Sequence, residues 1–279
     1  MESLSVFVEH VAEVCPLPAT ARKILELCQS ERVMIPDLAK VITTDPALAA
    51  AVFRIANSAA YGGRGIDQLD VALMRIGLRE LRDMAAAMSL LAAFRSQAEL
   101  SLKLHDRSVV SGSIASLLAK ATGACLPGTA FTAGLLCEIG AMACLAADGK
   151  GYLRIWHESS GEESLRAPLE LSSYGFTSLD VGACFLSRSG LPSSVSYAVG
   201  TPLATAATTE EPLAKIVVLA RHATSRLVGQ PASARHTELR TDLYDLSAAV
   251  DLPDVDGQRL LEICVEAGAL AQQALRGAR

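Results

Sequence analysis

Aromatic side chains are scarce in this sequence: Phe, Trp and Tyr make up 4% of 279 residues, although 51% of all residues are hydrophobic. A core built without rings must come from Ala, Leu, Val, Ile and Met, which favours close-packed helices over sheets. So apolar a chain can offset the entropy of ordering, so disorder is excluded as its main state. A basic surplus is also missing. Lys+Arg number 25 against Asp+Glu 30, a net charge of −5. General nucleic-acid binders neutralise phosphates with excess cations, so that function class is not expected.

Two further absences concern the membrane. The opening MESLSVFVEHVAEVCPLPAT holds Glu2, Glu9 and Glu13 but no Lys or Arg, unlike a secretory leader with its basic start. The charge-free stretches 121–137 and 189–209 are broken by Gly123, Pro127 and Gly128 in the first and by Ser, Thr and two prolines in the second. Neither reads as a spanning helix of about 20 apolar residues. No CxxC pair occurs among the Cys 7 in the sequence, at positions 15, 28, 125, 137, 144, 184 and 264. An odd, scattered set reads as reduced thiols acting as small apolar residues in the cytoplasm. Cys137 and Cys144 share a helix face, yet helical rise separates them by roughly 10 Å, too far for one disulfide or one zinc ion.

What is present is period 3.6, and nowhere a clean alternation of period 2. Ile24, Leu25, Leu27 and Cys28 mark one face of a helix entered through Leu17-Pro18. Ile35-Pro36-Asp37 starts a short helix through Leu38, Val41 and Ile42. Asp45-Pro46 places a carboxylate at a cap and a proline at the first helical position, where its missing N–H costs nothing. Leu48, Val52 and Ile55 continue that helix toward a stop at Tyr61-Gly62-Gly63. Further helices are expected over Leu69–Ile76, Leu78–Phe94, Ser101–Thr122, Thr129–Ala147, Tyr152–Glu158, Leu213–Val228 and about Asp254–Leu275. Gly and Pro at 161, 168, 175, 190 and 192 divide three shorter ones. Gly229–Thr241 reads as a loop. The reading is all-α in two helical parts, 1–98 and 99–279, with a boundary at Arg95–Ser101.

Three blocks of the first part carry a resemblance: Leu17-Pro18, then Asp45-Pro46-Ala47-Leu48 leading to Asn57-Ser58-Ala59, then Ala72 with Ile76-Gly77-Leu78 before a long helix. In order and spacing they resemble the HDOD domain family (HD-related output domain). Weaker likeness continues through AGLLCEIG at 133–140, SYGFTSLDVG at 173–182 and SGLP at 189–192. The resemblance implies a bacterial, all-helical protein: an N-terminal helical bundle packed on a degenerate HD-like subdomain. It also implies a signal-transduction output or scaffold without demonstrable catalysis.

An HD phosphohydrolase gathers His and Asp donors around metal ions that polarise a phosphoryl oxygen and activate water. Where the family places LLHDIG, this chain has Leu135-Leu136-Cys137-Glu138-Ile139-Gly140. The upstream family His falls at Arg107, a fixed cation that cannot bind metal. A later His falls at Ser178, a pair of them near Pro202-Leu203, and an Asp at Arg221. Arg107, Cys137, Glu138 and Ser178 are thus read as vestigial ligand positions. No metal, cofactor or catalytic residue is expected. A literal His105-Asp106 doublet occurs in LKLHDRS, where a capping or surface role is the simpler reading. His10, His157, His222 and His236 are isolated, and no GxSxG, Walker loop or GxGxxG appears. Gly62-Gly63-Arg64-Gly65 follows a helix and reads as a turn.

Two surfaces stand out instead. Asn57-Ser58 is either a helix terminus or, with Asp45, part of a buried polar network orienting its helix against the second part. Arg75, Arg79 and Arg82, with Arg54 and Arg64 upstream, form the densest basic segment, read as a salt-laced face or as a patch for an acidic partner or small anion. The leading expectation is a non-catalytic cytoplasmic signalling module that binds protein partners in trans. The alternatives are a divergent metal phosphohydrolase using Glu138, His105 and Asp106, and a cyclic-dinucleotide sensor using the arginines at 75–82.

Overall fold

The Asp45-Pro46 signal works as read: Asp45 Oδ1 accepts the Leu48 N–H at 3.0 Å and starts a helix over Pro46–Ala56. The computed structural model describes residues 3–30, 35–57, 65–66, 68–228 and 256–276, and among these no strand occurs. The helices are α1 (Leu4–Val14), α2 (Ala19–Gln29), α3 (Ile35–Thr43), α4 (Pro46–Ala56), α5 (Leu69–Ile76), α6 (Leu78–Ala93) and α7 (Glu99–Thr122). There follow α8 (Pro127–Leu135), α9 (Ile139–Ala147), α10 (Gly149–Glu158), α11 (Glu163–Tyr174) and α12 (Ser178–Arg188). After α13 (Ser193–Gly200) come a single 3-10 turn at Leu203–Thr205, α14 (Pro212–Leu227) and α15 (Gly257–Arg276). The protein is all-α.

Helices α2 to α6 form one bundle, with Ile24, Leu38, Ile42, Val52 and Leu81 sealed in its core. The long α7 runs through the middle of the remainder, against α8, α14 and α15. It ends at Gly123, which takes the left-handed φ of 64° that a glycine C-cap adopts without penalty. Glycine also sets how closely α7 and α8 approach: a Cβ on Gly134 would come within 2.8 Å of the Ser111 carbonyl oxygen. α1, not anticipated from the sequence, packs on α9 and α12, and its Phe7 ring lies 5.0 Å from that of Phe176. Helix α1 therefore touches the second part of the chain.

Two expectations change. Thr129–Ala147 is not one helix. Cys137 N–H to the Gly134 carbonyl at 3.3 Å, and Ile139 N–H to that of Leu136 at 3.0 Å, tighten the chain into a break at 136–138. Neither Gly nor Pro stands at 136–138, and the flanks are apolar all round, so periodicity does not register the break. Pro168 does not divide helices either. It sits inside α11, exposed, where the carbonyl its missing N–H would have served belongs to the exposed Ser164. The stretch Pro127–Ala147 has the length and apolarity of a membrane span, yet 78% of its apolar window is buried inside the protein, as in a core segment.

Candidate functional site

The break before α9 turns Glu138 inward. There its Oε1 accepts from Arg107 Nε of α7 at 2.6 Å, with side chains 1% and 6% exposed. Nearby, α10 carries Tyr152 and Trp156 one turn apart, on one buried face. Helix α11 opposes them with Arg166 and Glu170, also one turn apart, the Arg166 Nε 3.1 Å from Glu170 Oε1. Both Arg107 and Arg166 lie over the Trp156 ring, at 5.5 and 5.1 Å from its centroid. Guanidinium planes stack on indole favourably, and more so when desolvated.

Glu170 carries the network to α12. Its Oε1 accepts from the Tyr152 hydroxyl at 2.9 Å and its Oε2 from the Ser178 N–H at 2.8 Å. That N–H is available because Thr177 and Asp180 form a capping box that serves the neighbouring amides and leaves Ser178 at the first helical position. A second knot joins α11, α13 and α14. Arg221 gives Nε to Glu163 Oε2 at 2.8 Å, Nη2 to the Thr201 carbonyl at 2.7 Å and Nη1 to that of Val199 at 3.3 Å. Glu163 Oε1 accepts the Leu203 N–H at 2.8 Å. Arg107, Glu138, Ser178, Leu203 and Arg221 are thus drawn into two adjacent knots, with Arg107, Arg166, Leu203 and Arg221 around one cavity. The resemblance assigns all of these positions but Arg166 to lost metal ligands.

Charge states follow from these contacts. Burial works against the Arg166 charge, but Tyr152, Glu138, Glu170 and Glu163 around it hold it above the ordinary arginine value. Burial would raise Glu163, yet Arg221, the Leu203 amide and Arg166 together hold it below the usual carboxylate value. Burial, with Glu138 beside it, pushes the Cys137 thiol up to about 12 against the opposing pull of Ser111, Arg221 and Arg107. Tyr152 is raised well above the ordinary tyrosine value, chiefly by burial.

Other expected residues lie elsewhere. His105 neither caps nor lies on the surface: Nδ1 is 2.8 Å from the Ser101 carbonyl and Nε2 2.8 Å from that of Leu91, tying α7 to the last turn of α6. Both of its nitrogens are taken up by these carbonyls, and among the described residues no contact joins His105 to Glu138. Asp45 and Asn57 do not share a network, because α4 separates them by about 18 Å of rise. Asn57 instead clamps Ile66: Nδ2 donates to the Ile66 carbonyl at 2.8 Å and Oδ1 accepts the Ile66 N–H at 2.9 Å. Arg75 and Arg79 are exposed at the junction of α5 and α6, and Arg82 pairs with the buried Asp83 at 3.1 Å. Ser58, Tyr61–Gly63, Arg64, Gly229–Thr241 and His236 lie outside the described residues, as does the Arg54 side chain. Trp156, Tyr152, Glu163, Arg166 and Glu170 belong to no motif in the sequence; the Arg166–Glu170 spacing and the lone tryptophan are their only traces.

A family model for the HDOD domain matches residues 14–201. The chain belongs to the HDOD domain family. No curated protein matches it. Among solved structures it is similar to a candidate phosphohydrolase from Shewanella amazonensis SB2B, with 22% identity, 96% of this chain and 98% of that one covered, and a TM-score of 0.71. An HDOD domain protein of unknown function from Geobacter sulfurreducens gives 19%, 97% and 98%, and 0.63. A candidate signal transduction protein from Marinobacter aquaeolei VT8 gives 20%, 97% and 67%, and 0.59. These proteins share its fold.

The metal that the resemblance to HD phosphohydrolases implies does not fit the side chains of this HDOD domain. Among the described residues no group of three or more His, Cys, Asp or Glu side chains is placed to hold an ion. Two of the converging positions are arginines, which offer no lone pair, and the Cys137 thiol holds its proton.

Proposed function

We propose that this HDOD protein is a non-catalytic signalling module that works in the cytoplasm by binding a protein partner. The observation that carries the reading is the 2.6 Å contact of Arg107 with Glu138. The one acid at the converging positions is engaged by a permanent cation, where a phosphohydrolase would need an open, anionic donor set. The Marinobacter relative, named for signal transduction, supports the same direction through its shared fold.

The partner surface we favour is the start of α6 with the end of α5. Met74 is 75% exposed there, with Arg75 and Arg79 beside it. Met and Arg are enriched in interfaces, and guanidinium forks match carboxylates, so the partner is an acidic protein. The test has two arms. Metal analysis and phosphodiester hydrolysis by the purified chain should both read blank; a stoichiometric transition metal with turnover would overturn the reading. Affinity capture from the native bacterium should recover a partner that the double variant Arg75→Glu, Arg79→Glu no longer retains. Undiminished capture would remove this surface.

A further inference from the structure

Beside the cluster lies a cavity of about 70 Å³, lined by Arg107, Arg166, Arg221 and Arg226, by Glu162 and Glu163, and by Ser164. We infer that it is a binding site for a small tetrahedral oxyanion of the phosphate class, held by guanidinium groups where HD relatives would hold a metal. The idea goes beyond partner binding and stands apart from it.

The donors are arranged for an anion. In all three inner arginines the carboxylates lie against the Nε edge: Glu138 on Arg107, Glu170 on Arg166, and Glu163 on Arg221. For Arg221 the terminal nitrogens are also engaged, by the carbonyls of Val199 and Thr201. Among the described residues, that Nε contact is the single hydrogen bond Arg107 makes. Arg166 is 3% exposed, and its Nε and Nη1 are both buried with no hydrogen-bond partner, although Glu170 Oε1 lies 3.1 Å from Nε. A buried guanidinium nitrogen left so forfeits a charge-assisted hydrogen bond, which an acceptor in the cavity would restore.

The acids of the lining are already paired, which leaves Arg107 and Arg166 as the donors for an anion. Both Glu163 oxygens are engaged, by Leu203 and Arg221, and Glu162 Oε1 faces Arg226 Nη1 at 3.3 Å. Helix α11 adds its first turn: the Leu165 and Arg166 amides return to the Glu162 carbonyl, while those of Glu163 and Ser164 have no intrahelical acceptor. The volume sets the ligand's size. It holds a few waters or one four-oxygen ion, whereas sites for drug-sized molecules run to about 300–1,000 Å³, so a dinucleotide does not fit inside.

Ser164 is exposed and lines the cavity, so it marks the mouth and allows a test that leaves the buried pairs alone. Calorimetric titration of the full chain with inorganic phosphate, at constant ionic strength in chloride, should show one saturable site. Ser164→Asp puts a carboxylate at the mouth and should weaken binding about ten-fold or more. Arg154→Gln, the same change of charge on the exposed side of α10, should leave it unaltered. Glycerol 2-phosphate forms a second arm. If it binds with the same sensitivity, the site takes the terminal phosphoryl group of a larger ligand; if only phosphate binds, it takes the free ion. Absence of saturable phosphate binding, or binding that Ser164→Asp leaves intact, overturns the assignment.

Discussion

Arg107 of α7 and Glu138 of the α8–α9 break meet at 2.6 Å in a place closed to solvent, under the indole of Trp156. A buried pair of this kind is weak evidence for stability, because desolvating both ions cancels much of their attraction. Removing one partner is different, since it strands the other charge. Arg107→Ala should lower unfolding stability by about 3–5 kcal/mol, and Glu138→Ala similarly, whereas Arg107→Met with Glu138→Leu should lie much closer to the parent. Urea denaturation at a constant slope checks this. A double variant no more stable than either single one would mean that the pair is not the unit described.

The companion pair Arg221–Glu163 makes a pH prediction. Glu163 is held below its ordinary value of 4.5 despite burial, by Arg221, Leu203 and Arg166. A carboxylate lowered in the folded state adds stability that is complete above the unfolded value and is lost as pH falls through the folded one. Thermal melts should therefore be flat in this contribution above pH about 4.5 and fall below it. Glu163→Gln should flatten that acid limb while lowering stability at neutral pH. Asp83 works in the opposite sense. Its carboxyl is raised chiefly by burial, which Arg82 and Arg79 only partly offset, so its penalty eases on acidification.

The crossing of α9 and α12 is set by hydrogen atoms. A Cβ on Gly140 would collide with the Ser178 carbonyl oxygen and sit 2.7 Å from the Gly182 nitrogen. Backbone cannot swing aside as a side-chain tip can, so α12 would have to move, and with it the Ser178 N–H on Glu170. Gly140→Ala should cost at least about 3 kcal/mol, at the top of the overpacking range. Gly149→Ala, with nothing within 4 Å of the new carbon, should be neutral or stabilising by up to about 1 kcal/mol. Paired melting curves decide it, and equal effects at the two glycines would refute the crossing.

How much of this could be read beforehand depends on the range of the interaction concerned. Asp45-Pro46, the stops at Gly77 and Gly123, and most helix extents are local signals, legible because caps and periodicity act within a few residues. That Arg107, Glu138, Ser178 and Arg221 stand at positions of one site comes from the family resemblance, since no spacing connects residues on α7, the α8–α9 break, α12 and α14. The other half of the cluster was hidden. Pro168 looked like a divider, so Arg166 and Glu170 were not seen as one helical turn, and Trp156 and Tyr152 had no recognisable partners. His105 failed for the same reason: its role lies in a carbonyl of the preceding helix.

Asn57 offers the sharpest local test, because its partners are peptide groups. Its amide donates to the carbonyls of Phe53 at 2.9 Å and Ile66 at 2.8 Å, and its oxygen accepts the Ile66 N–H at 2.9 Å. The side chain acts as a strand-like partner for one buried residue and holds the chain after α4 against the helix end. Asn57→Ala leaves the Ile66 carbonyl and N–H unserved, while the Phe53 carbonyl keeps the backbone N–H of residue 57, and should cost about 1–3 kcal/mol. Asn57→Asp keeps the acceptor for Ile66 N–H but sets a carboxylate oxygen against the two carbonyls, so it should be no better than alanine at neutral pH. Hydrogen exchange distinguishes the variants residue by residue. The Ile66 amide should be protected in the parent and in Asn57→Asp relative to Asn57→Ala, beyond any change shared by amides of α7. Uniform loss of protection across both helices would show that Asn57 acts on global stability alone and not as a clamp on Ile66.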